Sequence, residues 1–239
     1  MRRALALAAL ALLAGCGGGG DAEPLEVFAA SSLREVMPEV DAAPRYTFAG
    51  SDELAAQIRD GAAADLFLSA SGAPVDDLRE AGLVEAPVVF ASNRLVVVVP
   101  AGDPAGVRTF NGLARPGLKL VLGGEGVPIG DYARQALAAA GLDAALDNVV
   151  SLEQDVKGVL GKVALDEADA GIVYATDVDA AGSGVVALDV PAAFQPAVRY
   201  YAALVTAGDR DGAEGLLGRL LGDQGGAALR EAGFLPVPG

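Results

Sequence analysis

The chain has 239 residues, of which 17 are lysine or arginine and 32 are aspartate or glutamate, so its formal net charge at pH 7 is −15. Hydrophobic residues make up 52% and charged residues 21%, a balance typical of a globular protein with a large core. So acidic a chain disfavours nucleic acid and anionic membrane surfaces as partners. It contains no histidine, the side chain used most often as a general base.

The first 16 residues predict a secretory signal rather than part of the fold. Two arginines precede an apolar stretch over residues 4–13, which is too short for a membrane span of about 20 residues. The stretch ends in Leu-Ala-Gly-Cys, which resembles the lipobox of bacterial lipoproteins. In that group the cysteine, here Cys16, becomes the lipidated first residue of the mature chain. Residues 17–23 are rich in glycine and predict a flexible tether.

From residue 25 onward, strand-like and helix-like segments alternate. In the first half of the chain, strands are predicted at residues 25–28, 45–48, 65–69 and 94–99, and helices at residues 32–40, 51–59 and 74–81. The segment 94–99 is apolar after its leading arginine, which is typical of a strand buried on both faces.

The alternation continues in the second half. Strands are predicted at residues 118–122, 171–174, 185–188 and 198–205, and helices at residues 128–140, 155–168 and 213–232. This order predicts an α/β fold with mainly parallel sheets. Because the strands are too many for one five-stranded sheet, we expect two lobes, with residues 96–100 and 199–204 as candidate crossing segments.

Several strand-to-helix junctions carry residues that suit an anion. Ser32 with Glu35 has the spacing of a capping box, and Ser51 follows a strand in the same way, so both are predicted to cap helices. Asp155 is predicted to cap the helix that it begins, with its carboxylate turned back onto that helix. Helix N-termini carry free N–H groups and a partial positive charge, which can hold an anion without a charged side chain.

Three further residues stand at comparable places. Ile129 and Val156 fall in the first turns of predicted helices, where backbone N–H groups are unpaired. Tyr174 stands at the carboxyl end of a predicted strand, and open α/β sheets bind ligands at that edge. These residues alone leave both simple helix capping and a shared anion site open.

An enzymatic alternative comes from the glycine-rich stretch over residues 124–130, which follows a strand and opens a helix as dinucleotide-binding loops do. Pro128 interrupts the pattern, and Glu125 would face a pyrophosphate. No Gly-x-Ser-x-Gly or Ser-x-x-Lys motif accompanies the serines. The sequence therefore favours a binding protein over an enzyme, although a nucleotide-dependent enzyme that uses this loop stays open as an alternative.

Five segments occur in the same order as in the periplasmic molybdate-binding proteins, and the chain resembles that family from residue 25 to the closing EAGF at 231–234. The segments are FAASSL at 28–33, FAGS at 48–51, ADLFLSA at 64–70, VPIGDYA at 127–133 and GIVY at 171–174. The resemblance implies a two-lobed, type II periplasmic-binding-protein-like α/β fold, with the ligand in the cleft between the lobes.

The resemblance also implies the ligand contacts. Ser32 and Ser51 would offer hydroxyl and backbone N–H groups, Ile129 and Val156 would offer backbone N–H groups, and Tyr174 would offer its phenol. Ile129 replaces the alanine that is common in the family, so a larger wall could change the shape of the pocket. A receptor for a smaller oxyanion such as sulfate therefore stays open.

The implied role is capture of molybdate, and of the similar tungstate, for delivery to the permease of an ABC importer. The family's proteins are not enzymes and use no cofactor beyond this ligand. We further expect a monomer held to the extracytoplasmic side of the membrane through Cys16. Lobe 1 is predicted to comprise residues 24–96 and 201–239, and lobe 2 residues 97–200.

Overall fold

The computed structural model describes residues 23–237. The predicted signal, Cys16 and most of the predicted tether lie outside these residues and stay predictions. Among the described residues, no helix is both long enough and apolar enough to cross a bilayer.

Ten strands and seven α-helices build the described chain. The strands are β1 Glu26–Ala30, β2 Arg45–Ala49, β3 Leu66–Ser69, β4 Val88–Asn93, β5 Leu95–Pro100, β6 Leu120–Gly123, β7 Val149–Glu153, β8 Ala170–Tyr174, β9 Val185–Asp189 and β10 Val198–Leu204. The helices are α1 Met37–Val40, α2 Ser51–Arg59, α3 Ala73–Glu80, α4 Pro128–Ala139, α5 Val156–Ala164, α6 Arg210–Leu221 and α7 Asp223–Glu231. Six short 3₁₀ turns connect them within residues 23–237.

The strands form two five-stranded sheets with the same internal plan. The first sheet has the order β2-β1-β3-β10-β4 and the second the order β7-β6-β8-β5-β9. In each, the first three strands pair in parallel, and the fourth runs antiparallel to both of its neighbours. The α/β fold in two lobes is confirmed, with one reversed strand in each mainly parallel sheet.

Each sheet with its helices is called a lobe here: lobe 1 contains the first sheet and lobe 2 the second. The chain passes to the second sheet at Arg94 and returns between Asp189 and Val198. The lobe boundaries predicted from the sequence stay a prediction, although β5 begins before residue 97 and β10 before residue 201.

Apolar strands explain the core. Every residue of β5 is buried, as its run of four valines predicts. A second, smaller cluster in lobe 1 packs Phe28 and Phe67 of the sheet against Leu54 and Leu78 of α2 and α3. This packing fixes the strand ends, and the loops at those ends carry the candidate site.

The predicted helix over residues 32–40 is wrong. Ser31–Leu33 form a 3₁₀ turn, and α1 begins only at Met37. Pro38 explains the break, because a proline inside a helix removes one hydrogen bond and its ring clashes with the carbonyl four residues earlier. The side chain of Glu35 consequently does not close a capping box.

The predicted long helix over residues 213–232 is also wrong, because the chain forms α6 and α7 with Gly222 between them in an extended conformation. A Cβ on Gly225 would overlap the carbonyl oxygen of Leu220. Gly222 and Gly225 therefore allow a tight corner between two helices.

Candidate functional site

A small cavity lies between the two sheets, at the carboxyl ends of their parallel strands. Its volume is about 10 Å³, close to the space that one buried water molecule needs. All five residues predicted as ligand contacts line it: Ser32, Ser51, Ile129, Val156 and Tyr174. The other lining residues are Ala30, Ser31, Ala49, Gly50, Ala70, Val127, Pro128 and Asp155.

Lobe 1 brings two buried hydroxyls to the cavity. Ser32 follows β1 and is 4% exposed, and Ser51 is the first residue of α2 and 1% exposed. The prediction that they cap helices is wrong, since neither makes a side-chain cap hydrogen bond. Their hydroxyls bond elsewhere: Ser32 Oγ lies 3.0 Å from Tyr200 Oη, and Ser51 Oγ accepts the Ala70 N–H at 3.1 Å.

Lobe 2 brings backbone N–H groups. Ile129 lies in the first turn of α4 and Val156 begins α5, so their N–H groups have no partner inside the helix. Both apolar side chains are buried in the core. The prediction for Asp155 is confirmed, because its Oδ1 accepts the N–H of Gly158 at 2.8 Å. The carboxylate thus caps α5 although its residue borders the cavity.

Tyr174 ends β8 and is 1% exposed. Its hydroxyl is buried and has no hydrogen-bond partner within residues 23–237. The ring meets Tyr132 and Tyr200 edge to face, at 6.5 Å and 5.9 Å between centroids. Burial, reinforced by nearby Tyr200, raises the pKa of the Tyr174 phenol well above its ordinary value. The phenol therefore keeps its proton and is able to donate a hydrogen bond.

One ion network joins the lobes beside the cavity. Lys157 Nζ of lobe 2 lies 2.8 Å from Glu35 Oε2 of lobe 1 and 3.0 Å from Asp177 Oδ1. Asp177 is fully buried, and burial raises its pKa to about 6 although Lys157 opposes the shift. The ammonium is thus already neutralised by carboxylates. Within residues 23–237, Asp155 is the one ionisable carboxylate among the residues that line the cavity, and no lysine or arginine lines it.

The lobes also approach closely at Gly50, just before α2. A Cβ on Gly50 would overlap the carbonyl oxygen of Gln154 in lobe 2. A glycine is thus needed here to let the backbones of the two lobes come together.

The glycine-rich stretch over residues 124–130 has a packing role. A Cβ on Gly130 would overlap the carbonyl oxygens of Gly123 and Gly124, so a glycine is needed where α4 lies against the end of β6. Gly126 has a positive φ of 80°, which suits glycine in the turn. Of this stretch only Val127, Pro128 and Ile129 reach the cavity.

Sequence reasoning missed two buried residues, Tyr200 and Asn93, which are linked by hydrogen bonds to Ser32. Tyr200 is fully buried and Asn93 is 4% exposed, and Asn93 Nδ2 lies 3.4 Å from Tyr200 Oη. Neither residue stands at a strand-to-helix junction, so no local pattern marked them. A polar residue directly before an apolar strand was the one available signal for Asn93. No cluster of three metal-ligating side chains occurs within residues 23–237.

The comparisons with known proteins identify the family of the chain. A model of the bacterial extracellular solute-binding proteins matches residues 25–235. The molybdate-binding protein ModA of Mycobacterium tuberculosis is 38% identical over 182 residues, 72% of this chain and 69% of the relative. A putative ABC transporter substrate-binding lipoprotein of Bacillus subtilis, YvgL, is 31% identical over 190 residues, 72% of this chain and 73% of the relative.

The fold agrees as well. The periplasmic molybdate-binding protein of Azotobacter vinelandii matches with a TM-score of 0.79 at 21% identity, covering 90% of this chain and 100% of that one. Two α/β lobes around a small site at their strand ends define the class of two-lobed, type II solute-binding proteins. Residues 25–235 match its extracellular bacterial members, and the Mycobacterium tuberculosis and Bacillus subtilis relatives are 38% and 31% identical. The chain belongs to the bacterial extracellular solute-binding proteins, in the family of the ModA molybdate-binding proteins.

Proposed function

We propose that this protein captures molybdate, and also tungstate, outside the cytoplasm and delivers it to the permease of an ABC importer. The observation that carries the proposal is the convergence of Ser32, Ser51, Ile129, Val156 and Tyr174 on one small buried cavity between the lobes. Relatives with molybdate-binding names support the choice of ligand.

Neutral donors suit this ligand. Molybdate is a tetrahedral dianion without a proton at neutral pH, so it accepts hydrogen bonds and donates none. Burying such an ion without donors would be prohibitive, whereas each hydrogen bond to a charged group contributes about 1.5–3 kcal/mol. Several of these bonds outweigh repulsion from distant acidic groups, which salt screens beyond about 8–10 Å.

The lining of the cavity supports an oxyanion over a nucleotide. Of the glycine-rich stretch only Val127, Pro128 and Ile129 line it, so none of the glycines of that stretch faces the site. The packing of Gly130 against Gly123 and Gly124 accounts for the glycines without a pyrophosphate. We therefore propose a transport protein without catalytic activity.

The N-terminal features add an anchor to the proposal. Cys16 would carry the lipid and residues 17–23 would link it to lobe 1, holding a monomer at the outer face of the membrane. The word lipoprotein in the name of the Bacillus subtilis relative supports this arrangement.

A titration of the protein lacking residues 1–16 tests the ligand. Molybdate, tungstate, sulfate, phosphate and a dinucleotide are added in turn while thermal unfolding is followed. A specific ligand at 100 times its Kd should add about 2.7 kcal/mol of stability. We expect that gain with molybdate and tungstate, and its absence with both would refute the proposal.

A stronger response to sulfate would instead support a receptor for a smaller oxyanion, with the buried Ile129 side chain as the wall that narrows the pocket. A variant with both Ser32→Ala and Ser51→Ala tests the site itself. It should lose binding while its circular dichroism spectrum stays that of the wild type, and unimpaired binding would mean that the assigned contacts are wrong.

A further inference from the structure

The two serines of the cavity are held by bonds whose direction can be worked out. Ser51 is the simpler case, because its Oγ accepts the N–H of Ala70 at 3.1 Å and a backbone N–H can only donate. The hydroxyl hydrogen of Ser51 is therefore free for a bond into the cavity. Within residues 23–237 Ser32 Oγ has no such backbone donor. It contacts Tyr200 Oη at 3.0 Å, and in this pair either oxygen could donate.

The hydrogen bonds of Asn93 determine which oxygen donates in the Ser32–Tyr200 pair. The backbone N–H of Arg94 donates to Asn93 Oδ1 at 2.9 Å, which fixes the oxygen and nitrogen of the amide. The amide nitrogen then has two hydrogens and faces two oxygens, Thr176 Oγ1 at 2.9 Å and Tyr200 Oη at 3.4 Å.

The bond from Asn93 determines which way the hydroxyl of Tyr200 donates. Because Asn93 Nδ2 cannot accept a hydrogen bond, the acceptor for the Tyr200 hydroxyl is Ser32 Oγ. Tyr200 is fully buried, and burial raises the pKa of its phenol, so the hydrogen stays on the oxygen at all working pH values. Ser32 thus accepts from Tyr200 and keeps its own hydrogen for the cavity.

We infer that Asn93 and Tyr200 are specificity-determining positioning residues: together they orient the Ser32 hydroxyl as a donor to the bound anion. The inference rests on the proposed oxyanion function. We call the chain of bonds from Asn93 through Tyr200 to Ser32 the relay. It leaves the Ser32 hydroxyl hydrogen free for the ligand, as the direct bond from the Ala70 N–H leaves that of Ser51. It favours an anion without a proton, such as molybdate, over hydrogen phosphate, whose P–OH group seeks an acceptor.

The relay begins where the chain leaves lobe 1. Asn93 ends β4, directly before the passage to β5, and Thr176 follows β8 in lobe 2. The Asn93 amide therefore bonds to groups of both lobes, at the point where the chain passes from one to the other.

Asn93→Asp is the decisive variant. A carboxylate at this position would accept the Tyr200 hydrogen, so Tyr200 Oη would in turn compete for the hydrogen of Ser32. We expect the affinity for molybdate, measured by calorimetry on the purified chain, to fall at least tenfold. The affinity for hydrogen phosphate should fall less, because its P–OH can donate to Ser32, so the ratio of the phosphate Kd to the molybdate Kd should shrink severalfold.

Tyr200→Phe supplies the matched control. It removes the one oxygen that links residue 93 to Ser32 while keeping the ring. In a chain that already carries Tyr200→Phe, adding Asn93→Asp should leave the ratio of the phosphate Kd to the molybdate Kd unchanged. Thermal unfolding of each variant confirms that it is folded.

The outcomes separate cleanly. Equal loss of both anions in Asn93→Asp, or an undiminished effect of Asn93→Asp in the Tyr200→Phe background, would show simple charge repulsion and overturn the inference. Either result would leave the proposed function standing if the wild type binds molybdate. Failure of the wild type to bind molybdate would overturn the proposed function and, with it, this inference.

Discussion

The two lobes use one plan of strands but offer different atoms to the cavity. In lobe 1 the loops after β1 and β2 present the hydroxyls of Ser32 and Ser51. In lobe 2 the loops after β6 and β7, the equivalent strands in sheet order, present Ile129 and Val156. The fold therefore determines which loops face the cavity, whereas the local sequence determines whether a hydroxyl or only a backbone N–H is available there as a candidate donor.

This difference predicts that truncating Ser51 weakens ligand binding, whereas truncating Ile129 lowers mainly the stability of the fold. Ser51→Ala removes a donor to a charged ligand, which should cost about 1.5–3 kcal/mol of binding, or roughly 10- to 150-fold in Kd. Ile129→Ala keeps the backbone N–H, so Kd should change by less than about threefold, while the loss of buried methyl groups should lower the free energy of unfolding by about 2–5 kcal/mol.

Calorimetry and urea denaturation of both variants measure the two effects. If Ile129→Ala weakened binding more than Ser51→Ala, the assignment of Ser51 as a side-chain donor and Ile129 as a backbone donor would be wrong.

Lobe 2 differs from lobe 1 in carrying the buried carboxylate of Asp177 next to the site. Its pKa is raised from 3.8 to about 6, so the folded protein binds this proton more tightly than the unfolded chain does. Stability should therefore fall as pH rises from about 4 to about 6. At about 1.4 kcal/mol per pKa unit, the effect is on the order of 3 kcal/mol.

Asp177→Asn isolates this contribution. The stability difference between wild type and variant, followed by urea denaturation across this pH range, should decline as pH rises. The exposed Asp60→Asn in lobe 1 controls for the change in net charge. A difference that stays constant with pH would refute the assignment.

Gly50 tests whether the close approach of the lobes matters for binding. Gly50→Ala would place a methyl group against the Gln154 carbonyl oxygen of the other lobe, although the backbone angles of Gly50 suit an alanine. We expect an affinity loss of about tenfold, about 1.4 kcal/mol, with little loss of stability because the lobes can separate.

A matched control is Gly218→Ala on α6, where a Cβ meets open space. That variant should bind normally and gain about 0.5–1 kcal/mol of stability from helix propensity. Wild-type affinity in Gly50→Ala would show that closure tolerates a wider gap.

The smallest effect is expected from the ion pair that joins the lobes. Glu35→Gln removes one partner of Lys157 but leaves the buried Asp177 paired. Since Glu35 is half exposed, the loss in binding should be about 0.2–1 kcal/mol, at most fivefold in Kd. The difference from wild type should vanish near 1 M salt, where the Debye length is about 3 Å, and a difference that survives such salt would contradict an electrostatic role.

Much of the fold could be predicted from the sequence because apolar strands alternate with helices. The exceptions have local causes. β7 was missed since, as an edge strand, it alternates half-buried and exposed residues and shows no apolar run. β4 was missed because it starts exposed and ends in Ser92 and Asn93, which are buried polar residues.

The candidate site shows a similar division. The serines carried a signal of their own, although it was interpreted as capping. Ile129 and Val156 were marked only by their places in the first turns of predicted helices, and their role as ligand contacts was implied by the family resemblance. Neither the local sequence pattern nor the family resemblance pointed to Tyr200 and Asn93. Their contacts to Ser32 and Thr176 join residues more than 80 positions apart in the chain.

The two passages of the chain between the sheets have a mechanical consequence. They stand side by side, since Asn93, before the first passage, pairs with Val198, after the second. Two adjacent connections allow the lobes to rotate about the line that joins them and resist twisting about other axes. Capture of an ion then requires one rotation with few backbone angles to set, so little of the binding free energy is lost to conformational ordering.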